Sequence, residues 1–160
     1  MELWDAYDKD FRKVPNVTLI RGEVIPKGLY HLVCDILVRH TDGSYLLMQR
    51  DRRKPFGGMW EATAAGSALQ NESPLECAMR ELWEETGIRA DNLIEVGTVR
   101  GFDAIFVEYL CETDCEKDCV TLQEGETVAY KWISRGELVS MKKDELLTDR
   151  VQGFIEELRQ

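Results

Sequence analysis

The chain has 160 residues, 44% of them hydrophobic and 31% charged, with a formal net charge of −10; that balance fits one ordinary globular domain spanning 1–160, with an N-terminal hairpin over about 1–28 as an extension of its core. The acidic surface speaks against nucleic acid as a partner, because neutralising phosphates takes a basic stripe. No apolar run approaches the roughly 20 residues of a membrane helix, and the opening MELWDAYDKD lacks the basic start of a secretory signal, so a cytoplasmic protein with no membrane partner is expected.

In chain order, residues 2–7 and 17–20 predict two short strands around the polar DKDFRKVPN turn. Residues 22–28, with Pro26, read as a loop. Residues 30–38 (YHLVCDILV) are rich in aliphatic and β-branched side chains and predict a central strand. Asp42-Gly43 then turns the chain into a partner strand over 44–49, a hairpin signal. Residues 50–58 form a basic, Gly- and Pro-containing loop in which Arg50, Arg52, Arg53 and Lys54 make the dense basic patch of an acidic chain. That loop either solubilises the surface or holds the terminal phosphates or leaving group of a substrate, which arginine does bidentately. Phe56, Met59 and Trp60 either stack on a base or cap the core. Residues 61–65 predict a short strand of small side chains.

The segment at 66–88, GSALQNESPLECAMRELWEETGI, is the most informative. Ser73-Pro74-Leu75-Glu76 is a capping box with proline at the first helical position, and Gly87 supplies the left-handed stop, so a helix is expected over about 74–86. At 3.6 residues per turn, Leu75, Ala78, Met79, Leu82 and Thr86 fall on one side, and Cys77, Glu81, Glu84 and Glu85 on the neighbouring one. The acidic side is either a solvated face or a metal site, since clustered carboxylates repel one another unless a cation lies among them.

Beyond the helix, 93–100 and 104–111 predict two strands joined at Gly101, and 127–133 (TVAYKWI) a last one. Residues 145–158 place apolar side chains at helical spacing. Strands flanked by two helices predict a mixed sheet between helices, an α/β (α+β) sandwich. The five cysteines, an odd count, suggest reduced thiols. Cys111, Cys115 and Cys119 recur every four residues, either aligning on a helical face as a soft-metal or redox cluster or lying as free thiols in an acidic loop; the spacing is not that of a zinc ribbon.

Gly66, Glu72 and the run Arg80-Glu81-Leu82-Trp83-Glu84-Glu85-Thr86-Gly87-Ile88, at these spacings, resemble the Nudix box at every defined position. The resemblance implies the α/β/α sandwich of the Nudix hydrolases and a metal-dependent attack of water on the phosphoanhydride of a nucleoside diphosphate linked to another moiety. It implies magnesium, with manganese as the alternative ion, held by Glu81, Glu84 and Glu85 and by the backbone carbonyl of Ala65. Such ions also resolve the conflict between an acidic chain and a polyphosphate substrate. Arg80 is similar to the family arginine that orients a box carboxylate, and Glu72 to its anchor in the loop, with Gly66 and Gly87 structural. A general base is expected outside the box, because carboxylates occupied with metal accept protons poorly. The family often takes it from the loop before a strand ending in tryptophan; here that loop offers Glu126, better spaced to Trp132, or Glu124 in reserve.

Two other readings compete. WDAYDKD, GLYHL and MWEATAAGS are similar to the isopentenyl-diphosphate isomerase branch, where a histidine at the position of His31 binds metal. That branch also needs a cysteine just before the box glycine and a histidine just after it, where this chain has Ala65 and Ser67. His31 then reads as a satisfied strand histidine. The second competitor is a non-catalytic nucleotide-binding module, against which the complete carboxylate set argues. The hairpin at 1–28 either mediates a homodimer or covers the site. The substrate class stays open among nucleoside triphosphates, ADP-ribose, dinucleotides, coenzyme A and prenyl diphosphates.

Overall fold

A computed structural model describes residues 1–142 and 144–146 of the chain. β1 (Leu3–Tyr7) and β2 (Lys13–Ile20) pair as an antiparallel hairpin apart from the main sheet. The main sheet has seven strands: β3 (His31–His40), β4 (Tyr45–Arg50), β5 (Trp60–Glu61), β6 (Ala64–Ser67), β7 (Ile94–Arg100), β8 (Ala104–Thr113) and β9 (Thr127–Ile133). β3 and β8 run parallel over the whole length of β3, and the other pairings between these strands are antiparallel.

Burial of both sheet faces explains the continuous apolar run of β3. Cys34, Ile36 and Val38 point into one core with Leu46 and Met48 of β4, while Leu37 points into the other with Tyr45, Leu47 and Leu110. Helix α1 (Pro74–Thr86) closes the first face through Cys77, Ala78 and Leu82. Helix α2 (Arg135–Ser140) closes part of the second through Leu138. The mixed sheet between helices expected from the sequence is therefore the architecture present.

Several local expectations change. The strand expected over 61–65 is broken into β5, paired with β4, and β6, paired with β3. Thr63 sits at the break: its hydroxyl donates to the Leu46 carbonyl at 2.7 Å and accepts the Val38 amide at 2.9 Å. It thereby bridges the two strands where they splay, and a continuous strand could not pair with both. On α1, Leu75 and Met79, expected in the core, are exposed. The helix is rotated so that Cys77, Ala78 and Leu82 pack while Glu81 and Glu85 turn toward β6. α2 was not anticipated, although Ser134 and Glu137 form the same capping box as α1. The helix expected over 145–158 lies almost wholly outside the described residues; within them, Leu146 bridges Trp60. The segment carrying Cys111, Cys115 and Cys119 is a strand end and a loop, not a helix, and all five thiols are free.

The hairpin has a small core of its own, Trp4, Ala6 and Leu19, and is fastened to the box. Tyr7 and Tyr30 exchange backbone hydrogen bonds at 2.9 Å. The Gln70 amide donates to the Leu3 carbonyl at 2.9 Å and the Asn71 amide to Asp5 at 2.8 Å. Trp4 stacks on His31 with ring centroids 4.2 Å apart.

Candidate active site

The phase of α1 is set at both ends. Ser73 accepts the Glu76 amide at 3.1 Å, the Ser73 amide donates to the Glu76 carboxylate at 2.9 Å, and Gly87 caps the far end in the left-handed conformation, φ 75°. Between these caps, offsets of three and four residues bring Arg80, Glu81, Glu84 and Glu85 to one side. Arg80 is the hub. Its guanidinium grips Glu72 bidentately at 2.7 and 2.9 Å and donates to Glu81 at 2.8 Å, to Glu84 at 3.2 Å and to the Ser67 carbonyl at 3.1 Å. Glu72 accepts the Leu69 amide at 2.8 Å and so ties the loop to the helix. Burial works against the ionised form of Glu72, but Arg80 and the Leu69 amide outweigh it and hold its carboxyl below the usual range. The Arg80 guanidinium is correspondingly pushed up, chiefly by Glu72.

Glu85 has the opposite environment. Burial, then the neighbouring charges of Glu81 and Glu61, push its carboxyl well above the ordinary value, with Glu126 adding to it; the Ala65 amide, donating to it, works the other way. Among the described residues it has no ion-pair partner. Burial also raises Glu81, with Arg80 opposing. Gly66 makes room for this arrangement: a Cβ there would come within 2.1 Å of the Glu81 carboxyl carbon.

These groups face a polar cleft of about 290 Å³. Ala65, Gly66, Ser67, Arg80, Glu81, Glu84 and Glu85 form its inner wall. Gln123 and Glu126 enter from the loop before β9, Lys54 from the loop after β4, and Glu2 and Arg21 from the hairpin. Residues 123–126 make a β-turn, with the Glu126 amide donating to the Gln123 carbonyl at 3.0 Å and Gly125 at φ 82°. The turn presents Gln123 and Glu126 to the cleft and leaves Glu124 exposed. Lys54 pairs with Glu126.

The basic loop is distributed differently from its appearance in sequence. Arg50 pairs with Glu61 at 3.0 Å, Arg53 pairs with Asp51 at 2.6 Å, and Arg52 is exposed. Lys54 is the cation of this loop that lines the cleft. Phe56 is exposed, whereas Trp60 packs against the second core with Lys131 over its ring. His31 receives burial, the Trp4 stack and a 3.3 Å contact with the Ser67 hydroxyl; burial lowers its basicity. Glu61, Gln123, Glu2 and Arg21 were missed by sequence reasoning. For Glu61 no local signal existed, because the break at Thr63 puts it on a different strand from Ala65. For Glu2 and Arg21 none existed either, because only the docking of the hairpin brings them near the box.

The cluster fits a hard divalent cation. Its donors are all oxygen, Glu85 is a crowded carboxylate with no compensating charge, and Gly66 leaves space against Glu81. Among the described residues no three acidic, histidine or cysteine side chains already converge on one point, as Arg80 occupies the space between Glu72, Glu81 and Glu84. Glu81, Glu84 and Glu85 each retain carboxylate oxygens for an ion.

A NUDIX domain family model matches residues 29–155. An uncharacterised Nudix hydrolase of Listeria monocytogenes is 31% identical over 148 residues, covering 89% of this chain and 85% of that protein. An isopentenyl-diphosphate Delta-isomerase of Streptomyces avermitilis is 34% identical over 76 residues, covering 47% of this chain and 39% of its own length. A crystal structure of a Deinococcus radiodurans protein shares the fold with a TM-score of 0.79 at 14% identity, covering 97% of this chain and 98% of that one.

Proposed function

The chain belongs to the NUDIX domain family, and from that premise we propose that it is a divalent-metal-dependent hydrolase of a nucleoside diphosphate linked to another moiety, water attacking the phosphoanhydride. The observation that carries this reading is Glu85: a half-buried carboxylate among three others, facing a polar cleft, with no cation beside it among the described residues. Such uncompensated charge costs stability and is characteristic of functional sites.

Glu81, Glu84, Glu85 and the Ala65 carbonyl would hold the ion, with magnesium the expected species and manganese the alternative. A bound divalent ion supplies Lewis-acid polarisation of a phosphoryl oxygen and a more acidic water. The protein's own groups do the rest. Arg80 fixes Glu81 and Glu84 in place and cannot itself give up a proton. Glu126, held at the rim by its turn and by Lys54, is the acceptor for the proton of the attacking water. Lys54 also brings positive charge to the side where phosphate oxygens gather. Isomerase chemistry lacks its parts here, since Ala65 carries no ionisable group and Ser67 no imidazole.

The test is a screen of purified protein against nucleoside diphosphate derivatives, with magnesium or with EDTA, reading product masses. Metal-dependent cleavage of a phosphoanhydride, lost in Glu85→Gln, is the expected result. Failure of the wild-type protein to cleave any member, or full activity of Glu85→Gln, would overturn the reading.

A further inference from the structure

The N-terminal hairpin contributes a charged pair to the same cleft that holds the carboxylates. Residues 20–23 form a β-turn, the Glu23 amide donating to the Ile20 carbonyl at 3.1 Å, with Gly22 at φ 92°. Arg21 stands at its corner and lines the cleft together with Glu2. The two strand ends are joined by the Arg21 amide donating to the Glu2 carbonyl at 3.0 Å, and the Arg21 guanidinium donates to Glu2 Oε2 at 3.2 Å. The other oxygen of Glu2 accepts the indole N–H of Trp4 at 2.7 Å. Trp4 is itself fixed on His31.

Among the described residues three cations line the cleft, and they differ in how far they are committed. Arg80 is consumed by Glu72, Glu81, Glu84 and the Ser67 carbonyl. Lys54 is paired with Glu126. Among the described residues, Arg21 spends one guanidinium N–H on the partly exposed carboxylate of Glu2, in a pair whose side chains are 67% and 30% exposed. An exposed pair of this kind contributes little to stability, and the rest of the guanidinium fork remains available. A planar fork of N–H donors matches two oxygens of a phosphate. The hairpin's hydrogen bonds to Gln70 and Asn71 fix that fork relative to the box.

We propose that Arg21 is a phosphate-binding residue of the active site, supplied by the N-terminal hairpin, and that it exchanges Glu2 for the diphosphate of the substrate. Glu2 then acts as an internal competitor that holds the guanidinium in position until the anion arrives. This inference rests on the hydrolase reading for the identity of the site but not for the binding of the anion.

The experiment measures binding of methylenediphosphonate, a non-cleavable diphosphate, to the full chain by calorimetry in the presence of magnesium. Arg21→Ala is expected to weaken binding by about tenfold, and Arg21→Lys to recover part of the loss. Glu2→Gln keeps an acceptor for Trp4 but removes the competing charge, so it is expected to tighten binding by about threefold. Local damage to the hairpin would not produce these opposite signs. Arg12→Ala removes a hairpin charge that does not line the cleft and is expected to bind like the wild type. The inference is overturned if wild-type protein does not bind the probe, if Arg21→Ala binds as wild type, or if Glu2→Gln weakens binding as Arg21→Ala does. Wild-type protein that binds through Arg21 yet cleaves no substrate would sink the hydrolase reading alone. Cleavage with a KM and affinity indifferent to Arg21 would sink this inference alone.

Discussion

The basic loop at 50–58 and the acidic helix segment at 66–88 are both dense in charge, and they resolve it in opposite ways. In the loop, Arg50, Arg53 and Lys54 each meet a carboxylate, and Arg52 faces water. In the helix segment, Glu72, Glu81 and Glu84 share Arg80, and Glu85 is left among like charges. Charge density is common to both segments; among the described residues, a carboxylate crowded by like charges and left without an ion-pair partner belongs to one. That difference separates a loop whose charges are paired or solvated from a helix segment in which one carboxylate is left unpaired among the described residues.

The largest expected effect is at the unbalanced position. Glu85→Gln should lower kcat by about 10²- to 10³-fold, the cost of losing a preorganised electrostatic group; a change of only a few fold would erase the contrast between the segments. The same substitution should raise the stability of the metal-free protein. The sign follows from the raised carboxyl. Below the ordinary glutamate value of about 4.5 the folded state keeps its full stability, and it loses stability as pH rises through the raised value. Thermal melts in EDTA should therefore fall in wild-type protein as pH rises above the ordinary glutamate value and be flatter in Glu85→Gln. Metal affinity should rise over the same interval, as the proton leaves.

Next in size is Glu126→Gln, expected to lower kcat by about 10²-fold as a lost general base, with Glu124→Gln close to wild type. Equal effects at both would mean that the turn does not select between them. Gly66→Ala should push Glu81 off its position and destabilise the fold by about 1–3 kcal/mol, read as a lower Tm together with weaker metal binding. The smallest effects belong to the basic loop. Arg52→Ala should change stability by less than about 0.5 kcal/mol, and both Arg52→Ala and Arg53→Ala should change KM by no more than about twofold. A tenfold rise in KM for either would place that arginine in the site beside Lys54.

The local half of this arrangement was legible because its signals are local. Ser73, Pro74, Glu76 and Gly87 act within one helical turn of themselves, so the helix over 74–86 and its carboxylate spacing could be read directly. The strands of the sheet could be read from apolar runs, as in β3. Where a residue's role depends on a distant partner, the reading failed or fell silent. Leu75 and Met79 looked like core because periodicity defines faces but not which face turns inward. Residues 61–65 looked like one strand because nothing local shows that β3 and β4 diverge there. Arg50 looked unpaired because its pairing with Glu61 is decided by packing.

From its own residues, then, the chain determines a capped helix, a set of carboxylates at metal-binding intervals and the family to which they belong. Those features depend on spacings along the backbone, which helical geometry converts directly into neighbours. Tertiary structure alone decided which carboxylate went without a counterion, which cations reached the cleft, and that a hairpin from the start of the chain would bring Arg21 there. These outcomes depend on contacts between segments far apart in sequence, and a charge acquires its meaning only from what is packed against it.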